Sequence, residues 1–167
     1  MIQSIAYVLT AILLLFPAAT SAQDHAWRAD VSVGWAGFVD DSTRNYLVVG
    51  GSVRRRVTPR VSIGPELVVM SNGAHVTDRV VLLTGNVVVD VVEAANDRRV
   101  VPFVVVGGGI VRMRDQVRNG PFGSGDPALT AGGGIRARIS EAVAAGAEYR
   151  IGWEPHQRFT AFVSSSW

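Results

Sequence analysis

The segment Trp27-Arg-Ala-Asp-Val-Ser-Val-Gly-Trp-Ala-Gly37 alternates between two kinds of side chain along its whole length. Its odd-numbered positions are mostly apolar, and its even-numbered positions include Arg28, Asp30 and Ser32. A period of two residues is that of a β-strand, in which successive side chains point to opposite faces. The segment therefore predicts one long strand with an apolar face and a more polar face.

Seven further segments of strand length follow, separated by turn residues. The sequence predicts these strands at about residues 45–57, 61–70, 79–92, 99–114, 128–139, 142–153 and 158–167. Strands of ten or more residues exceed the usual length in soluble sheets and suit tilted strands that cross a bilayer. We therefore predict an all-β fold, an eight-stranded antiparallel up-and-down transmembrane β-barrel, whose even strand count places both chain ends on one side.

The predicted connections differ between the two ends of this barrel. Those after the second, fourth and sixth strands are short or compact, whereas the others include the longest and most glycine-rich, at 115–127. Short periplasmic turns opposite long extracellular loops are typical of outer-membrane barrels.

The first 22 residues have the pattern of a secretory signal peptide. An apolar core from Ala6 to Phe16 precedes the small residues that end at Ala22, although no Lys or Arg precedes the core. The core is too short to span a bilayer whose hydrocarbon layer is about 30 Å thick. We expect removal of residues 1–22, leaving 23–167 as one β-barrel domain in the outer membrane of a Gram-negative (diderm) bacterium.

Charge and cysteine content exclude several classes of function. The chain has 16 basic residues, all arginine, against 14 acidic ones, which gives a formal net charge of +2. Arg54-Arg-Arg56 is the one basic cluster and has no aromatic platform beside it, so we predict no nucleic-acid binding. The absence of cysteine excludes a disulfide framework and thiol chemistry.

Strand parity places charged side chains inside the predicted barrel. Arginines in a narrow interior must be paired, because an isolated desolvated charge costs more than folding supplies. The pairing forms either a fixed plug or a gate whose pairs exchange, and an eight-stranded barrel has just enough room to be filled by side chains. The predicted lumen network comprises Arg54, Glu66, Asp90, Arg112, Arg136, Arg138, Glu148 and Arg150, with Arg28, Asp30 and Asn86 on the same inner face.

The alternation is not clean in every strand, which leaves a second architecture open. Val87-Val-Val89 and Val104-Val-Val106 are apolar on both faces, as in a soluble lipocalin-like barrel that binds an apolar ligand. Against this, aromatic residues lie near strand ends, where membrane-interface girdles belong. These are Trp27, Trp35, Tyr46, Trp153, Phe159 and Trp167.

Local motifs resemble those of the small OmpA/OmpX-type outer-membrane barrels, over 23–167 and without a peptidoglycan-binding domain. Pro102-Phe-Val-Val-Val-Gly-Gly-Gly109 is similar to the family's entry into a glycine-containing strand, and Gly146-Ala-Glu-Tyr-Arg150 is similar to its penultimate strand. The resemblance implies that Phe159, Val163 and Trp167 form a C-terminal signal for the barrel-assembly machinery, although Ser164-Ser-Ser166 dilutes it. From strand count, strand parity and the terminal aromatic we also predict a monomer in contact with outer-membrane lipid and lipopolysaccharide, with an unknown extracellular partner at the loops.

The sequence contains no strong catalytic constellation, and we predict no catalytic, cofactor or metal site. A lipid A hydrolase would need a serine within hydrogen-bond reach of a histidine. The three histidines are His25, His75 and His156, and we expect the last two to be exposed in loops. His75 with Ser71 or Ser124 remains the one geometrically possible pair.

Overall fold

The computed structural model describes residues 26–38, 41–72, 79–92, 99–114, 126–152 and 156–167. It contains eight β-strands of 10 to 16 residues. They are β1 (Trp27–Phe38), β2 (Asp41–Arg56), β3 (Val61–Ser71), β4 (Arg79–Asp90), β5 (Val100–Arg114), β6 (Asp126–Arg138), β7 (Val143–Gly152) and β8 (His156–Ser166).

Each strand pairs with its neighbours in the chain, and β8 pairs back to β1, so the sheet is a closed barrel. All eight pairings are antiparallel. At the β1–β8 seam, the amide of Trp27 donates to the carbonyl of Trp167, and the amide of Trp167 donates back, both at 3.0 Å. The predicted fold class is confirmed: an eight-stranded antiparallel barrel with no free sheet edge.

Two irregularities interrupt the hydrogen-bond ladders. A register shift lies between Gly37, which pairs with Asn45, and Phe38, which pairs with Asp41. The β1–β2 ladder therefore extends beyond residue 45, where the sequence predicts the second strand to begin. The β2–β3 ladder is broken opposite Gly64 and Pro65, because proline has no amide hydrogen to donate. The barrel closes around both interruptions.

The two ends of the barrel are called here the terminal end, which holds residues 26 and 167, and the opposite end. Connections 57–60, 91–99 and 139–142 belong to the terminal end, and 39–40, 72–78, 115–125 and 153–155 belong to the opposite end. The longest connection is at the opposite end, as predicted. The predicted asymmetry is incomplete, since the first connection is two residues and the β4–β5 connection is nine.

Side chains alternate between a buried inner face and an exposed outer face. In β4, for example, Val80, Leu82 and Thr84 are buried, whereas Leu83 and Val87 are exposed. The valine-rich strands therefore supply apolar residues to both faces. The outer face carries a belt of exposed apolar side chains that includes Val33, Leu47, Val49, Ile63, Leu67, Leu83, Val104, Val106, Ile110, Leu129, Ile135 and Ile151.

The structure corrects the predicted position of Tyr46. Its side chain is 6% exposed and packs with Val48 and Met70 inside the barrel, not at an outer aromatic girdle. Trp27, Trp35, Phe159 and Trp167 are exposed on the outer face, and Trp153 lies outside the described residues. In the part of the chain that the structure describes, no helix is long and apolar enough to cross a membrane.

Candidate functional site

Glu66 of β3 is the centre of a buried polar network in the lumen. Its Oε2 accepts a hydrogen bond from Arg150 Nη1 at 2.9 Å and one from Asn86 Nδ2 at 3.0 Å. Its Oε1 accepts from Arg158 Nη2 at 3.0 Å. One carboxylate on β3 therefore binds two guanidinium groups from strands on the other side of the barrel.

Glu148 of β7 completes this network. Both carboxylate oxygens accept from Arg150, with Nε to Oε1 at 2.5 Å and Nη2 to Oε2 at 3.0 Å. Arg158 Nη2 lies 3.6 Å from Glu148 Oε1. We call Glu66, Glu148, Arg150 and Arg158 the central quartet. Its two negative and two positive charges balance, which is what a buried ionic cluster requires.

Glycines on neighbouring strands make room for the bulky members of this interior. A Cβ atom at Gly132 of β6 would lie 2.8 Å from Arg150 Cγ, and one at Gly134 would lie 2.8 Å from Phe103 Cζ. Real Cβ atoms essentially never approach other heavy atoms so closely. The nearest atoms are main-chain oxygens of β7, Tyr149 O at 2.1 Å from the Cβ position of Gly132 and Ala147 O at 2.2 Å from that of Gly134, so these glycines permit the close approach of β7 and also leave room for the two side chains.

Two further ion pairs lie nearer the terminal end. Arg54 pairs with Asp30, whose carboxylate also accepts from the hydroxyls of Ser52 and Ser164. Arg136 pairs with Asp90, and its guanidinium carbon lies 5.4 Å from the ring centroid of Phe103. Each buried acid in these pairs therefore has its own arginine.

Two apolar clusters share the interior with the ionic groups. Near the opposite end the cluster contains Ala36, Tyr46, Val48, Val68, Met70, Val80, Leu82, Val111 and Ala128. Toward the terminal end a smaller cluster contains Val88, Phe103, Val105 and Phe162. The rings of Phe103 and Phe162 meet edge to face with centroids 6.0 Å apart. Ionic groups and apolar clusters therefore both contribute side chains to the lumen.

Most of the predicted lumen residues lie together inside the barrel. Arg54, Glu66, Asp90, Arg136, Glu148 and Arg150 are buried and paired as described above. Arg138 has the inner parity of β6 and is half-buried at the strand end.

The predicted position of Arg112 is wrong, because its side chain is exposed on the outer face of β5. In β5 the inner parity belongs to Val101, Phe103, Val105 and Val111, all buried. Because β5 has valines on both faces, its sequence does not show which face points inward. An inward-pointing Arg112 would meet only apolar side chains.

Arg158 belongs to the buried network, yet the predicted network omits it. It is 2% exposed and links Glu66 to Glu148, yet it donates through Nη2 alone, leaving Nε and Nη1 without a partner among the described residues. Alternation along β8 does predict an inward Arg158. Exposed Phe159 and Val163 mark the outer face, and the opposite parity belongs to Arg158, Thr160, Phe162 and Ser164.

The structure also corrects the position of His156. It begins β8 and is 7% exposed with the inner parity, whereas the sequence predicts an exposed loop histidine. His25, His75 and Ser124 lie outside the described residues. Within the described residues, no group of three or more His, Cys, Asp or Glu side chains could hold a metal ion.

Phe159 and Val163 lie on the outer face of β8, and Trp167 follows the end of this strand. Phe159, Val163 and Trp167 are 52%, 46% and 39% exposed. Phe159 lies opposite Trp35 of β1 and Tyr149 of β7 in the two ladders, which makes a row of three exposed aromatic side chains. The side chains of Phe159, Val163 and Trp167 therefore project away from the lumen network.

Several solved structures share this fold. Neisserial surface protein A (NspA) matches with a TM-score of 0.68 and 14% identity, over 84% of this chain and 96% of that one. The N-terminal β-barrel domain of Pseudomonas aeruginosa OprF matches with a TM-score of 0.63 and 10% identity, over 84% and 97%. A de novo designed transmembrane β-barrel matches with a TM-score of 0.53 and 19% identity, over 89% and 100%.

No protein-family model matches the chain, and no curated protein sequence matches it. At these identities the structural likeness establishes the fold alone. The chain has the fold of the small eight-stranded outer-membrane barrels, as its sequence motifs predict.

We predict that Glu66→Gln destabilises the folded barrel by about 3 kcal/mol or more, because it leaves the Arg150 and Arg158 charges only partly compensated. Urea unfolding in detergent micelles, followed by tryptophan fluorescence, measures this change. Glu141→Gln, at an exposed acid in the β6–β7 connection, is the matched control and should change stability little.

The double variant Glu66→Gln/Arg158→Gln restores the charge balance of the quartet. Its loss of stability should be smaller than the sum of the two single losses. A Glu66→Gln variant as stable as Glu141→Gln would contradict a quartet held by ionic pairing.

Proposed function

We propose that this chain is an integral outer-membrane β-barrel of a Gram-negative (diderm) bacterium. The observation that carries the proposal is the belt of exposed valine, leucine and isoleucine side chains around a closed barrel whose charges are paired inside. Soluble monomers rarely expose a continuous apolar surface of this kind, whereas lipid-facing strands require it. Removal of residues 1–22 during export belongs to the same proposal.

The barrel's work is structural and interactive, and not enzymatic. As a monomer, it contributes to the envelope through contact with phospholipid and lipopolysaccharide, while the connections of the opposite end face an external partner. The terminal end lies on the periplasmic side, in keeping with the even strand count. The partner's chemistry is left open, because much of the surface that would meet it belongs to connections outside the described residues.

We propose that the side chains inside the barrel plug its lumen. Support comes from the apolar cluster around Val68 and Leu82, which would remain in the lumen if ion pairs exchanged within the central quartet. A very narrow gated pore is the alternative, and it would need the quartet and this cluster to move together. The interior of an eight-stranded barrel is just wide enough for side chains to fill, which favours the plug.

Phe159, Val163 and Trp167 are proposed as the signal that the barrel-assembly machinery recognises. All three side chains are exposed, two on the outer face of the last strand and one just after it, which makes them accessible to a partner while β8 is still a free edge. After closure, the same side chains face lipid.

Heat-modifiable migration tests the membrane proposal. Protein extracted from outer-membrane fractions should run at a different position on a gel without boiling than after boiling, because the closed barrel resists detergent until heated. Recovery of the protein in the soluble periplasmic fraction would contradict the membrane location and favour a lipocalin-like barrel. If expression of the protein alters lipid A and a His75 substitution abolishes that change, the lipid A hydrolase is favoured instead.

Planar-bilayer recording separates plug from gate. The wild-type barrel should give no unitary current, and neither should Glu66→Ala or Glu148→Ala, because the apolar cluster remains in place. Discrete conductance steps in the wild type that change in either alanine variant would contradict the plug and favour a gate.

Trp167→Ala should lower the amount of folded barrel in the outer membrane of expressing cells several-fold, while folding of the purified chain into detergent changes little. The control is Leu129→Ala, which removes an apolar side chain from the outer face of β6 that is 61% exposed. Equal losses in the two variants would mean that Trp167 acts only as a lipid-facing side chain.

A further inference from the structure

A buried carboxylate lies at the β1–β8 seam, where the barrel closes. Asp30 of β1 stands opposite Ser164 of β8 in the ladder, and the Ser164 hydroxyl donates to Asp30 Oδ1 at 2.5 Å. The two residues are 6% and 1% exposed. The first strand of the barrel therefore binds the last one through a buried side-chain hydrogen bond to a charged group.

The other partners of Asp30 belong to β2. Its Oδ2 accepts from the Ser52 hydroxyl at 2.6 Å and from the guanidinium of Arg54. Ser52 stands directly opposite Asp30 in the β1–β2 ladder, and two residues connect these strands. The β1–β2 hairpin alone thus compensates the charge of Asp30, and the second oxygen is directed at the edge that β8 joins. We call Asp30, Ser52, Arg54 and Ser164 the seam clasp.

The rest of the inner face of β1 specifies the register of β8 only weakly. Beyond the clasp, its described inner residues are small: Ser32, Gly34 and Ala36. A Cβ atom at Gly34 would meet the main-chain oxygen of Phe159, so this glycine approaches backbone, which β8 offers in every register. A slip of two residues keeps every β8 side chain on its own face, because the side-chain period is two. Alternation and side-chain size therefore do not exclude such a slip.

Asp30 does distinguish between these registers. A slip of two residues in one direction would place Phe162 opposite Asp30, and a slip in the other direction would place Ser166 there. Phe162 has no donor, and a buried acceptor that loses its hydrogen bond destabilises the fold. Ser166 has a hydroxyl of its own. The position of Ser164 thus selects the observed register, and Ser166 offers the nearest substitute.

We propose that Asp30 is a register-setting residue, whose seam-facing oxygen binds Ser164 and thereby fixes how β8 closes the barrel on β1. The Ser164-Ser-Ser166 segment, which dilutes the apolar C-terminal signal, then has a role of its own on the inner side of the strand. Phe159 and Val163 remain outward, so the two roles do not compete. The inference goes beyond the proposed function and does not depend on the membrane location.

Disulfide formation measures the register, since the chain has no cysteine of its own. Val33→Cys with Ala161→Cys reports the observed register, in which these outer-face residues are opposite. Val33→Cys with Val163→Cys reports the slip that brings Ser166 to Asp30. Opposite Cα atoms lie about 5.5 Å apart, within disulfide range, whereas residues two positions off lie beyond about 7 Å. The purified protein is folded in detergent micelles and oxidised, and the cross-linked fraction is read from its migration after boiling without reductant.

We expect the wild-type clasp to give the 33–161 cross-link and only a background of the 33–163 cross-link. Ser164→Ala should raise the ratio of the second to the first by about tenfold or more, the factor for one hydrogen bond to a charged group. Ser164→Thr keeps the hydroxyl and should retain the wild-type ratio. Ser164→Ala/Ser166→Ala should lose most of the rise, because the substitute donor is also gone.

Ser52→Ala is the matched control, because it removes a hydrogen bond from the same carboxylate within the β1–β2 hairpin and away from the seam. It should keep the wild-type ratio. An unchanged ratio in Ser164→Ala, or an equal rise in Ser52→Ala, would overturn the proposal and leave the register to the central quartet. Should Ser164→Ala not fold, Asp30→Asn weakens the same bond at unchanged size, and an unchanged ratio there overturns the proposal as well.

Discussion

The whole interior depends on the neutralisation of charge in a space too narrow to hydrate it. Arg150 and Arg158 are 4% and 2% exposed, so each guanidinium must be compensated by protein groups. Glu66 does this for both arginines at once, across the lumen from β3 to β7 and β8. The bond between Glu66 and Arg158 joins strands 92 residues apart in the chain, which makes the quartet a constraint on barrel closure as well as on charge.

The other layers are arranged around that constraint. Glycines in β6 leave space for Arg150 and Phe103, and apolar clusters lie in the lumen beside the buried ion pairs. Exclusion of water strengthens each ionic contact and raises the cost of losing a partner. The same side chains that surround the charges also contribute the apolar clusters of the interior.

The outer face follows the opposite rule, with apolar residues exposed over the height of the barrel and aromatic residues toward its ends. Arginines that reach this face, such as Arg55, Arg79 and Arg112, lie toward strand ends. Long arginine side chains at such positions extend toward the polar boundary of an apolar layer. The side chain of Arg112, whose predicted position was wrong, therefore obeys the same physical rule as the rest of the outer face.

The sequence by itself determined the number of strands, their approximate limits and the inner faces of β6 and β7, because alternation of polar and apolar residues follows directly from strand geometry. It also determined that the interior would be charged and paired. Only the tertiary structure decided the faces of Arg112, Tyr46 and His156, since β5 is apolar on both faces and strand ends do not alternate clearly. It alone decided which charges meet, because the partners of Glu66 depend on barrel closure and register, and neither is encoded within any single strand.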